Sequence, residues 1–245
     1  MPLRRRRADP TDPPPAPGRR VGRPSLVRRL TTWLGVAMML TGVVLLGYVG
    51  WQFWGTNWTS QRAQEQVRTS LKQQWEQPGQ NLRPAYVPQG KASALIRIPR
   101  FGDDYVVPVL EGTTDEVLAK GYGHFADTAD PGEVGNYALA AHRVTHGEPL
   151  RRMPELRPGD QVVVETVDAT YTYRLDTDPN ALVIPFTGVW VLDRVPKNPQ
   201  AGGVQPAQRA GQKLITLTTC SELFHTDDRM IAFGHLVRTE PKTGA

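Results

Sequence analysis

The chain is 245 residues long with a formal net charge of +5, enough for one domain of ordinary size with appendages. The charge is concentrated ahead of the first long apolar run, where nine arginines (Arg4, Arg5, Arg6, Arg7, Arg19, Arg20, Arg23, Arg28 and Arg29) stand against Asp9 and Asp12, while the remainder holds 20 basic and 22 acidic residues and sums to −2. The basic character therefore belongs to a tail, and the folded part lacks the basic face that nucleic-acid binding needs.

Residues 1–31 include PTDPPPAPGRR and are too rich in proline and arginine to bury apolar surface, so this segment is expected to be a disordered tail. Residues 32–54, TWLGVAMMLTGVVLLGYVGWQFW, contain no charged side chain, which meets the roughly 20 residues a transmembrane helix requires. Trp33 at one end and Tyr48, Trp51, Phe53 and Trp54 toward the other suit the two membrane interfaces, and the arginines on the N-terminal flank place that end in the cytoplasm. A cleaved signal peptide has a core of only about 7 to 15 apolar residues before a small-residue site. This run is longer and ends in aromatics, so it reads as a retained anchor with the rest of the chain outside the cell.

Residues 55–91 read as an extracytoplasmic stalk and linker. Within them TSQRAQEQVRTSLKQQWEQ (59–77) has Val67, Leu71 and Trp75 at spacing four, a thin apolar stripe on a stalk helix, and PGQNLRPAYVPQG (78–90) has linker composition. A domain over 92–239 follows, with a short tail at 240–245. Its strand-like runs are ALIRIP, YVVPVL, GNYALAAHR, QVVVET, ATYTYRL, ALVIPF, GVWVLDRV, KLITLTTC and RMIAFGHLVRT, punctuated by Gly, Pro and Asp. TTDEVLAKGYGHF (113–125) and PLRRMPEL (149–156) are candidates for short helices. Regularly spaced strands with few helical stretches predict an all-β barrel or sandwich.

Cys220, the only cysteine, ends KLITLTTC. On a strand, Leu214, Thr216, Thr218 and Cys220 share one face and Ile215, Leu217 and Thr219 the other. The eight residues SELFHTDD then lead to Arg229 and the apolar run MIAFGHLV, so a hairpin-like return brings Arg229 toward Cys220. A lone cysteine is most often a small buried hydrophobe. Here the extracytoplasmic setting, in which cysteines usually pair, and the polar neighbours Thr218, Thr219, Ser221 and Glu222 favour a reactive thiol. Such a thiol works as thiolate and needs a basic or cationic neighbour. The histidines available are His124, His142, His146, His225 and His235. His142 ends the run YALAAH at a strand-to-loop transition, His225 lies in the loop beside Cys220, and His235 sits within a terminal apolar strand as a structural residue. Spacing alone leaves the choice between them open.

TLTTC followed by a loop and an arginine, with AAHRVTHG upstream and an N-terminal anchor, resembles the sortases. The stretches AAHRVTHGEPLRRMPELRPGDQVVVET and LITLTTCSELFHTDDRMIAFGHL are similar to the actinobacterial class E group. The resemblance covers roughly residues 92–239 and the anchor. It implies an eight-stranded β-barrel with short helices, with Cys220 as nucleophile, His142 as the histidine and Arg229 as the arginine. It further implies cleavage of LAXTG- or LPXTG-type sorting signals between Thr and Gly and transfer of the new carboxyl to an amine. The partners so implied are surface proteins with C-terminal sorting signals, a lipid-linked peptidoglycan precursor as amine acceptor, and the membrane itself.

A signal beginning with leucine needs an apolar pocket, for which Val183, Ile184, Phe186, Val189, Trp190 and the adjacent Thr219 are candidates. Acidic residues are scattered without ligand spacing, so no metal and no cofactor is expected. The Asn57-Trp58-Thr59 triplet has the form of a glycosylation acceptor and is incidental in a bacterial chain. Other readings are a pilin-polymerising sortase, an L,D-transpeptidase or a non-enzymatic surface-binding module. QPGQNLRPAYVP lacks the DPW- or DPF-like lid of the first, and the SHGC-like stretch of the second is absent. The third would leave Cys220 inert.

Overall fold

The apolar run folds as one continuous helix, α1 (Leu26–Gly50), with no buried residue. Its 25 residues span about 37 Å at 1.5 Å per residue, long and apolar enough to cross a bilayer. The computed structural model describes residues 26–51, 55–76, 85–87, 90–220 and 227–242. The N-terminal tail to residue 25, the end of the predicted span at 52–54 and part of the predicted linker lie outside these. Residues 26–31, read from sequence as part of the disordered tail, are helical instead. Leucine and arginine are good helix formers, and Thr31 and Thr32 return their hydroxyls to the Arg28 carbonyl at 3.1 and 2.8 Å. The chain divides into two compact units, the first ending at Gly47 and the second running from Tyr48 onward.

In the second unit, eight strands close a ring. They are β2 (Gly90–Arg97), β3 (Val107–Glu111), β4 (Tyr122–His124), β5 (Gly135–Ala140), β6 (Gln161–Glu165), β7 (Ala169–Leu175), β9 (Lys213–Cys220) and β10 (Asp228–Pro241). The order around the barrel is β2-β3-β4-β5-β9-β10-β7-β6, closed by β6 pairing back onto β2. The β3–β4 and β5–β9 pairs are parallel and the rest are antiparallel. Two further strands lie off the ring: β1 (Ala85–Val87) on β2, and β8 (Val183–Pro185) on β10. This is the eight-stranded barrel expected from sequence.

The alternation legible in the strands sorts side chains inward and outward. Tyr137, Leu139, Val162, Val164, Tyr173, Leu175, Ile215, Leu217 and Ala232 fill the barrel. At roughly 1.5 to 3 kcal/mol for each fully buried large side chain, this core supplies the main driving force for closure. The outward residues of two regions are buried as well, because other segments cover them. One cover is α2 (Thr56–Trp75), whose Val67 and Leu71 pack on Ala92, Leu95 and Leu110, with Trp75 partly buried beside them. Lys242 places its ammonium 4.4 Å from the Trp75 ring centroid and ties the helix to the end of β10. The predicted stalk stripe is thus a docking face, and the predicted linker contributes β1.

The second cover is a roof formed by residues 182–192. GVWVLDRV, expected as a strand, holds a 3-10 turn at Val189–Leu192. Leu182 and Val191 pack with Ile231 and Phe233 of β10, and Trp190 lies 6.0 Å from Phe233 between ring centroids. Asn136, on the outward face of β5, fixes this roof. Its amide donates to the carbonyls of Val191 at 2.9 Å and Asp193 at 3.2 Å, and its own oxygen accepts from the Thr216 hydroxyl at 2.7 Å. Thr216 and Thr218 are consequently buried although polar. The outer face of KLITLTTC lies beneath the roof until its last residue.

Candidate active site

Three neighbouring strand ends meet where the roof stops. In the β9–β10 register Cys220 is the direct partner of Arg229, and directly opposed residues of an antiparallel pair project to the same face with Cβ atoms about 5 Å apart. On the other side of β9, Ala140 of β5 is level with Thr218 in a parallel pairing. The Ala141 amide donates to the Thr218 carbonyl at 3.2 Å, and the Thr219 hydroxyl donates to the Ala141 carbonyl at 2.7 Å. His142 follows two residues after Ala140, the last paired residue of β5. The Arg143 guanidinium, 3.5 Å from the Cys220 carbonyl, closes the end of β9. Cys220, His142 and Arg229 are all partly exposed.

These three residues line one cleft of about 300 Å³. Ile184, Phe186 and Val189 of the roof supply its apolar wall, and Leu118 and Phe125 stand opposite. Ile184 is paired with Arg229 across β8 and β10, so the Arg229 backbone lies between β9, which carries the thiol, and β8, and its guanidinium donates to the Asp228 carbonyl at 3.1 Å. Of the residues predicted for a signal pocket, Ile184, Phe186, Val189 and Thr219 line the cleft; Val183 and Trp190 do not. Val183 points from β8 to the opposite face and is 46% exposed. Trp190 is held in the roof against Phe233. The wall formed by Leu118, of the short helix α3 (Asp115–Leu118), and Phe125 was missed from sequence, because nothing local in TTDEVLAKGYGHF indicates that it reaches the cysteine.

The other histidines separate cleanly. His124 is buried on β4, with Nδ1 3.0 Å from Glu111 Oε2 and Nε2 3.1 Å from the Thr128 hydroxyl and 3.2 Å from the Ala129 carbonyl. Burial pushes the Glu111 carboxyl up, but the hydrogen bond and charge of His124 outweigh it, and the group lies below its ordinary range. Glu111, His124 and Asp130 bring potential metal-ligand atoms within 4.8 Å of one another. Both ring nitrogens of His124 are already engaged, however, and none of the three lines the cleft. His235 faces the Asp176 carboxylate at 2.8 Å on β10, a structural role. His225 lies outside the described residues. His146 stacks on His142, with ring centroids 4.7 Å apart and planes inclined by 28°.

The loop after His142 is tied at both ends. The Leu150 amide donates to the His142 carbonyl at 3.0 Å. Tyr105 donates to the Pro149 carbonyl at 2.8 Å and accepts from the Tyr122 hydroxyl at 2.6 Å. Burial and the adjacent Tyr122 push the Tyr105 phenol well above its usual range.

A closed β-barrel with a partly exposed cysteine at a strand end, a guanidinium directly across and an imidazole alongside has the groups that thiol-based acyl transfer requires. The fold and the cleft define a closed β-barrel protein with a cysteine, a histidine and an arginine gathered at one opening. The sequence model described as "Sortase domain" matches residues 96–237, more than half of the chain, and the protein belongs to the sortase family, whose members are cysteine transpeptidases.

Its relatives point within that family. Sortase SrtE1 of Streptomyces coelicolor is 38% identical over 220 residues, which are 86% of this chain and 58% of that protein, so the match spans less than two thirds of that relative. The structure of sortase E from Streptomyces avermitilis is 41% identical with a TM-score of 0.54, covering 63% of this chain and 93% of that one. The SrtF sortase of Corynebacterium diphtheriae is 29% identical with a TM-score of 0.57, over 69% of this chain and 94% of the other.

Proposed function

We propose that this protein is a membrane-anchored transpeptidase in which Cys220, His142 and Arg229 cleave a sorting signal of the LAXTG or LPXTG type between Thr and Gly and pass the acyl group to a cell-wall precursor amine. The observation that carries this is the direct pairing of Cys220 with Arg229 across β9 and β10, in the cleft that His142 also lines. The similarity to sortases E supports a sortase-type substrate, a protein bearing a sorting signal. The apolar helix α1 and the arginines before it support a single-pass anchor with the N-terminus in the cytoplasm and the barrel outside.

Cys220 Sγ, as thiolate, attacks the carbonyl carbon of the signal threonine, and the carbonyl electron pair moves to oxygen. The guanidinium of Arg229 faces that oxyanion or steadies the adjacent peptide carbonyl. His142 as imidazolium gives its proton to the glycine nitrogen as the C–N bond breaks, which leaves a thioester. The incoming amine attacks the thioester carbonyl and loses a proton to the now neutral His142, and Cys220 departs as thiolate. The apolar wall of Ile184, Phe186 and Val189 receives the leading aliphatic side chain of the signal.

The test uses the full chain in detergent, with fluorogenic LAXTG and LPXTG peptides and a glycine-type amine. Cleavage between Thr and Gly, with an amine-dependent product, is expected. Cys220→Ala abolishes it, and His142→Ala and Arg229→Ala each lower kcat/KM by about 10² to 10⁴. Appreciable turnover by Cys220→Ala, or equal damage from His225→Ala with none from His142→Ala, refutes the assignment.

A further inference from the structure

The loop that follows His142 contains three successive residues with positive φ: His146 at 56°, Gly147 at 81° and Glu148 at 51°. Two of them are not glycine, so the surroundings must impose this conformation. Those surroundings are the first half of α2. Asn57 Oδ1 accepts from the Gly147 amide at 3.0 Å, and its Nδ2 donates to Glu148 Oε1 at 2.6 Å. Gln64 Nε2 donates to the His146 carbonyl at 3.4 Å. The φ of Gly147 favours glycine, and a Cβ there would lie 2.4 Å from Gln64 Nε2, the end of a side chain that would have to move aside.

The contacts continue toward the cleft. His146, the first of the three residues, stacks its ring on His142. Its Nδ1 is 2.9 Å from the Thr145 hydroxyl, which limits rotation of the ring. Asn57, near the start of the juxtamembrane helix, together with Gln64 therefore holds the backbone that carries the ring against which His142 lies. The helix itself is held to the barrel elsewhere, by Val67 and Leu71 on Ala92, Leu95 and Leu110. Loss of the Asn57 amide thus loosens residues 147–148, which keep the Gln64 bond at His146 and the Glu148–Arg151 ion pair, and leaves the helix docked.

We infer that Asn57 is a positioning residue for His142, so that the segment just beyond the membrane anchor is part of the catalytic unit rather than a spacer. The inference rests on the reading of His142 as the acid–base group. Asn57 touches neither substrate nor reacting atoms and acts through residues 146–148 and the His146 ring. A displacement of about 1 Å in a proton-transferring group costs on the order of 10²-fold in rate, and general acid–base catalysis supplies about 10² to 10⁴ in all. Loosening without loss of His142 falls at the lower end of that range.

The experiment measures kcat, KM for the sorting-signal peptide and the thermal midpoint of the full chain in detergent. Asn57→Ala is expected to lower kcat about 10- to 100-fold, with KM within about twofold and the midpoint within about 3 °C. Asn57→Asp keeps the acceptor for the Gly147 amide but sets a carboxylate against Glu148, and is expected to lose kcat similarly. In the double variant Asn57→Asp/Glu148→Gln, the new amide donates to the new carboxylate and restores the bond with reversed polarity, so kcat is expected to return to within about threefold of the parent. Unchanged kcat in Asn57→Ala, with His142→Ala inactive, overturns the inference and leaves the active-site reading intact. A parallel fall of kcat, KM and midpoint that the double variant does not rescue also overturns it, since that pattern is general unfolding. Full activity of His142→Ala overturns the active-site reading, and the inference with it.

Discussion

Replacing Asn136 by alanine tests whether the roof over β9 and β10 is held by a single buried amide. The side chain is 1% exposed and joins three partners: the Val191 carbonyl, the Asp193 carbonyl and the Thr216 hydroxyl. Each hydrogen bond has a net worth of about 1 kcal/mol, and alanine leaves the former partners buried without a substitute. The expected loss is therefore about 3 kcal/mol or somewhat more. For a folded unit of this size each kcal/mol corresponds to about 2 to 4 °C, which places the midpoint about 6 to 12 °C lower. Because the roof is also the apolar wall of the cleft, KM for the signal peptide should rise in parallel. Differential scanning calorimetry of the full chain in detergent, together with peptide kinetics at 25 °C, reads both quantities. Thr216→Val removes one of the three bonds, so the two substitutions should be less than additive by about the worth of that bond. A midpoint shift below 2 °C in Asn136→Ala would refute the reasoning and mean that apolar packing of Leu182, Val191 and Trp190 alone holds the roof.

Three further outcomes are expected. Leu71→Ala empties a fully buried site between α2 and the barrel and should cost about 2 to 5 kcal/mol in a single urea transition; a separate early transition, or no change, would mean that the helix is not part of the cooperative unit. Ile184→Asn should raise KM for the signal peptide about tenfold with kcat within threefold, because burying its amide against an aliphatic side chain lacks compensation, whereas Val183→Asn, on the other face of β8, should leave KM within twofold. Burial is the leading cause that raises the phenols of Tyr105, Tyr122, Tyr137 and Tyr173 above the usual tyrosine value. Their contribution to stability is then complete below about pH 10 and is lost as pH rises beyond it, by up to about 1.4 kcal/mol per pH unit for each group; an unfolding free energy that stays level between pH 9 and 11 would count against it.

Much of the cleft was readable along the chain because its chemistry lies at strand ends. KLITLTTC has a two-residue alternation, and a short return to Arg229 makes a cysteine–arginine pairing geometrically cheap. The long charge-free run was equally plain, since a helix forced to cross hydrocarbon needs only length and apolarity. Other features depend on segments far apart in sequence. GVWVLDRV has strand composition, but its neighbours give it no free edge, and it folds as a 3-10 turn riveted by Asn136 from 55 residues away. Val183 and Trp190 looked equivalent to Ile184 as pocket residues until pairing with β10 fixed which face of β8 meets the cleft and packing on Phe233 held Trp190 in the roof. Val67, Leu71 and Trp75 marked a helix face without saying what it covers. Sequence chemistry alone marked the long apolar run, the strand-rich domain and the Cys220 and Arg229 pair, because hydrophobic periodicity and residue type are local properties, while His142 was singled out only through the resemblance to the sortases. Tertiary structure decided that α2 reaches the His142 loop through Asn57 and that His142 lines the same cleft as Cys220 and Arg229, because a hydrogen bond across 90 residues leaves no periodic trace in either partner.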